Sequence, residues 1–191
     1  MKPADKPTPT WTVPSPYGYP RALESAGSVA APLLAGFAVA VIAQIAAQPD
    51  KIRWVDAALA VLSLATVLLV FAVQIAFNAR QWVVEPGELE SWWPDHDDPD
   101  RWGQLRADQA RYATTFKIAA DRFRRVFNAG LLLLMIGLAA ALVPKNDLTA
   151  ARAVGIIIFA FAALIELWWL VQNWASTLGA PGQDPFSPRR R

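Results

Sequence analysis

PDRWGQLRADQARYATTFKIAADRFRRVFNAGLLLLMIGLAAALV, residues 99–143, changes character at its middle. Trp102, Leu105, Gln109, Tyr112, Phe116, Ala119, Phe123 and Val126 recur at alternating steps of three and four. That spacing is a heptad seam, a stripe narrow enough to want a partner helix. Arg101, Arg106, Arg111, Lys117, Arg122, Arg124 and Arg125 fall off it. After Asn128 the charges stop, and residues 130–143 suit hydrocarbon. The stretch predicts one long helix that leaves the membrane near residue 126 and stands in the cytoplasm over residues 99–125.

The rest of the chain agrees with a membrane setting. Of its 191 residues, 54% are hydrophobic, and the mean hydropathy of +0.26 is too high for an ordinary soluble domain. Crossing a hydrocarbon core takes about 20 apolar residues. Residues 28–47, 57–79, 126–144 and 153–175 each supply such a run. The uncharged stretch from Ser25 to Pro49 is too long for a cleaved signal peptide, and its leader is Pro-rich and polar. The predicted fold is all-α, an integral membrane protein with four transmembrane helices, the third extended as a long amphipathic helix. Residues 1–26 form a disordered Pro-rich cytoplasmic tail and 27–79 a first transmembrane hairpin. Residues 80–98 make an acidic cytoplasmic loop and 99–125 a basic cytoplasmic helix. Residues 126–175 make a second hairpin and 176–191 a disordered basic tail.

Orientation follows from Lys and Arg. Fourteen of the 18 lie in the two tails and the middle loop. The two short turns hold Lys51, Arg53, Lys145 and Arg152. Both termini are therefore expected in the cytoplasm, with the protein in the plasma membrane. The basic helix should attract anionic lipid head groups. Nucleic acid is not an expected partner, because the membrane interface and the seam account for the Trp and Phe residues.

Enzymatic signatures are missing. The chain has no cysteine, which excludes disulfide scaffolds and thiolate chemistry. It contains no G-x-S-x-G, G-x-x-x-x-G-K or H-E-x-x-H. Asp95, His96, Asp97, Asp98 and Asp100 are too closely spaced for a calcium loop. Asp98 reads instead as a helix N-cap, with Pro99 in the first turn. No metal and no cofactor are expected.

Polar residues inside the spans are the candidate site. Glu166 is the one charge within the four runs. A central carboxylate costs at least ~2.5 kcal/mol on insertion scales unless it is paired. Ser63, Thr66, Gln74 and Asn78 share one face of the second span. Counted from Ala175, Glu166 falls near the midplane and level with Gln74, with Asn78 and Asn173 below. A hydrogen-bonded cluster of Glu166, Gln74, Asn78 and Asn173 is the expectation. Gly130 and Gly137 continue the seam face and predict a close helix contact.

SVAAPLLAGF (28–37), QIAFNARQW (74–82) and SWWPD (91–95) resemble a set of small four-span membrane proteins of high-GC Gram-positive bacteria. The resemblance covers about residues 25–145 and implies topology, with nothing catalytic. A basic helix feeding a hairpin of spans is also similar to two-span effectors of bacterial conflict systems, although here there are four spans. The expected function is a non-enzymatic membrane protein that assembles with itself or a membrane-protein partner. Trp102, Leu105, Gln109, Tyr112, Phe116 and Phe123 would form the self-association seam. The alternative is an oligomeric pore or ion channel lined by the second and fourth spans.

Overall fold

The second span carries a row that its polar stripe obscures. Ala58, Leu62, Ala65, Leu69, Ala72, Ala76 and Ala79 alternate at steps of four and three, and all seven are buried. Small residues at every other position let neighbouring backbones come close, the usual basis of helix association in lipid. In the computed structural model, this row is the seam around which the chain packs. The backbone is described for residues 18–85, 87–88, 91 and 99–178, and the side chains likewise except those of 99–100 and 173–178.

Four helices are long and apolar enough to cross a membrane. They are α1 (Tyr19–Ala47), α2 (Val55–Arg80), α3 (Pro99–Leu142) and α4 (Ala150–Leu178). No strand occurs among the described residues. Helices α1 and α3 both pack on α2, and α4 packs chiefly on α3. The buried side chains form two clusters. One lies at the end where α1 begins and α2 finishes and joins Leu23, Ala31, Ala72, Ala76, Phe116 and Phe123. The other lies at the end holding the two short turns and joins Ala38, Ile45, Ala58, Leu62, Leu134 and Leu138.

Glycines set the closest approaches. A Cβ on Gly27 of α1 would collide with the Cβ of Ala76. A Cβ on Gly137 of α3 would lie 2.7 Å from Leu62 Cγ, and one on Gly130 3.1 Å from Leu69 Cγ. The close contact predicted at Gly130 and Gly137 is thus formed with α2.

Helix α1 begins at Tyr19, inside the tail assigned to residues 1–26. Pro20 occupies the first turn, where its missing N–H breaks no helical bond. Leu23 is then buried in the terminal-end cluster, and this packing repays the ordering of the turn. A π-helical turn spans Ala26–Ala30, directly before Pro32. Its wider bond, from Ala31 N–H to Ala26 O, precedes the residue that cannot donate. Residues 1–17 lie outside the described residues. So do 92–98, which include the predicted Asp98 cap, and 179–191.

At 44 residues, α3 is ~66 Å long at ~1.5 Å per residue, about twice a ~30 Å hydrocarbon core. Its seam is occupied within the chain. Gln109, Phe116 and Phe123 are buried, whereas Trp102, Leu105 and Tyr112 are half-buried. Tyr19 of α1 meets Phe116 edge-on at 6.0 Å between ring centroids. Trp82, just past α2, tilts against Tyr112 at 5.8 Å. The partner helices that the seam wants are therefore the entry to α1 and the exit of α2.

The short turns are joined to one another. Arg53 N–H donates to Val143 O at 3.0 Å, and Lys145 N–H to Lys51 O at 3.3 Å, closing an antiparallel bridge between Ile52 and Pro144. Thr149 Oγ1 accepts from Arg152 N–H at 3.4 Å and caps α4.

Two substitutions check the packing by thermal melting in detergent. Phe123→Ala should cost about 3–5 kcal/mol, as large-to-small changes at buried aromatics do. Gly27→Ala should cost about 1–3 kcal/mol by overpacking against Ala76. Gly36→Ala, with nothing within 4 Å of the added methyl, should be neutral or mildly stabilising.

Candidate intramembrane polar site

Of the residues expected to cluster, Gln74 and Asn78 lie on α2 and Glu166 on α4. Gln74 and Asn78 are exposed on α2, because that helix uses its Ala/Leu row to receive α1 and α3. Glu166 lies on α4, which packs chiefly on α3, so α3 rather than α2 is its neighbour. The side chain of Asn173 lies outside the described residues. Of the α2 stripe, Ser63 is also exposed, and Thr66 donates its hydroxyl to Leu62 O at 2.8 Å.

Glu166 lines a wide-open cavity of about 510 Å³ between α3 and α4. Arg124, Asn128 and Leu131 line it from α3, and Ile165, Glu166 and Trp169 from α4. Glu166 Oε1 is buried and accepts no hydrogen bond. Arg124 and Glu166 share the cavity without a salt bridge, whereas Arg80 pairs with Glu24 at 2.6 Å and Arg111 with Asp108 at 3.0 Å.

Glu166 is 16 residues along α4 from Ala150, on the order of 24 Å at ~1.5 Å per residue.

Arg124 and Asn128 were missed as neighbours of Glu166, yet a signal for them exists. The hairpin of α3 and α4 turns about Asn146. Equal steps outward from it set Glu166 level with Val126. Arg124 and Asn128, two residues to either side and four apart, share one helix face at that level.

Chemically, the cavity offers a carboxylate, a guanidinium, an amide and an indole, with apolar walls beside them. It holds no hydroxyl or thiol nucleophile. No group of three or more His, Asp or Glu able to hold a metal occurs among the described residues. Comparison with protein-family models, with curated proteins and with solved structures returns no match.

An unpartnered buried oxygen predicts a direction for stability. Glu166→Met, close in volume and without the polar atoms, should keep or raise the melting temperature in lipid-free detergent, by up to about 1–3 kcal/mol. A fall of several degrees would instead assign the carboxylate a structural contact.

Proposed function

We propose that this chain is a non-enzymatic, multi-pass membrane protein that acts by assembly, with a second copy or with another membrane protein. The observation that carries this reading is the outward face of α2, where Ser63, Gln74 and Asn78 are exposed. In hydrocarbon such groups need partners, and interhelical hydrogen bonds between Gln or Asn side chains supply them. Phe71 and Phe77 on the same helix are exposed as well and would add contact area. The sequence pattern placed the assembly surface on the seam of α3. Because Gln109, Phe116 and Phe123 are buried within the chain, this reading is centred on α2.

The bilayer is the first partner in this reading. With the charge split as the guide, both termini and the basic half of α3 stand in the cytoplasm, beside anionic head groups of the plasma membrane. The polar stripe also sustains the second reading. A closed ring with these faces inward would be wet and would pass ions.

Light scattering in nanodiscs, corrected for lipid, should give a discrete oligomer, and Gln74→Leu with Asn78→Leu should convert it to monomer. A monomeric native chain would overturn self-assembly. Ion flux in liposomes separates a wet ring from a dry assembly. Orientation is checked by labelling, since the chain has no native cysteine. Lys145→Cys should react with an impermeant maleimide on intact cells, and Ala107→Cys only after permeabilisation.

A further inference from the structure

The cavity between α3 and α4 has the charge pattern of a zwitterion receptor. Its acid and its base are separate and unpaired with one another: Arg124 lies on one wall and Glu166 on the other. An internal salt bridge would have neutralised both. Glu166 Oε1 is buried and lacks a donor. Asn128, one turn from Arg124, adds amide hydrogens to the basic wall. Trp169 closes the acidic wall with an indole, a ring that favours the headgroup level. Leu131 and Ile165 continue the cavity as apolar surface. Beyond them α4 exposes Ile157, Ile158 and Phe161. The polar part lies where the apolar run of α3 begins, at the boundary between headgroups and hydrocarbon.

We propose that this cavity binds the headgroup of an aminophospholipid of the phosphatidylethanolamine type. The primary ammonium donates to the Glu166 carboxylate. The phosphate diester accepts from the Arg124 guanidinium and the Asn128 amide, and the acyl chains lie along Leu131, Ile165 and the exposed face of α4. Charge-assisted hydrogen bonds at both ends fix the orientation. A purely anionic headgroup leaves Glu166 without a cation. A choline headgroup carries the positive charge but has no N–H to give. The site is thus selective within phospholipids, which the basic residues of α3 alone would not be.

Native mass spectrometry of the full-length protein tests this, with phosphatidylethanolamine, phosphatidylcholine and phosphatidylglycerol of identical acyl chains supplied in equal amounts. The native chain should retain the ethanolamine lipid about tenfold over the other two, a difference of ~1.4 kcal/mol. Glu166→Gln should remove that preference. Arg124→Gln should lower retention, and Arg122→Gln, exposed and outside the cavity, should leave it unchanged. Equal retention of the three lipids, preference for phosphatidylglycerol, or an undiminished preference in Glu166→Gln would overturn the proposal. If Glu166→Gln does not fold, the native chain is offered the mono-, di- and trimethylated ethanolamine lipids. Retention should collapse at the trimethyl step, and a flat series would overturn the proposal. Soluble glycerophosphoethanolamine has the same charges without the chains. It should displace the lipid only at far higher concentration, and displacement at equal concentration would assign the site to a free zwitterion and overturn the lipid source.

Discussion

Backbone proximity along α2 is the constraint on which the rest depends. Lipid tails are as apolar as leucine, so helices in a bilayer gain little from burying apolar surface against one another. What remains is dispersion between closely fitted surfaces, and that requires small residues at the contact. The buried row from Ala58 to Ala79 supplies them on α2, and Gly27, Gly130 and Gly137 supply them on its neighbours. Gly137 against Leu62 and Gly130 against Leu69 are matched pairs in which the larger side chain fills the space that the smaller one vacates. The order of helices follows from this. Helix α2 holds α1 and α3 on its Ala/Leu face, and α4, which lacks such a row, takes a place on α3.

That choice of face fixes where polarity goes. A helix has one narrow stripe for close packing, and α2 gives it to alanine and leucine. Its Ser63, Gln74 and Asn78 are consequently turned outward. On α4 the opposite holds: among the described residues most large apolar side chains are open, and Glu166 is turned toward α3. The two polar features lie on different helices because two different packing demands placed them there.

The helices themselves were legible in the sequence, since runs of about 20 apolar residues separated by charge have few alternative readings. The long α3 was legible for the same reason, with its seam continuous across the change from charged to apolar. What misled was the weight given to polar residues. Ser, Gln and Asn along α2 stand out, whereas an Ala/Leu alternation is inconspicuous in a chain rich in both. Yet the alternation carries the packing. The start of α1 was obscured by proline, which reads as a breaker until its place in the first turn is known. The surroundings of Glu166 can be recovered from hairpin symmetry about Asn146, a count that needs no coordinates. Matching by depth from an assumed membrane boundary points to α2, whereas Arg124 and Asn128 of α3 line the cavity with Glu166.

The bridge between the two short turns has a mechanical meaning. Two backbone hydrogen bonds join the turn after α1 to the turn after α3, so both hairpins are pinned at a single edge. At the opposite end they are held by the buried cluster of Leu23, Ala76, Phe116 and Phe123 and by ring contacts, Tyr19 on Phe116 and Trp82 on Tyr112. The molecule is built like a clothes-peg. Its spring is the paired backbone at the turn edge, its jaws are closed by side-chain packing, and α3 runs on beyond them. Because α3 is one unbroken helix, a small change of angle at the turn edge would become a large sweep at its tip.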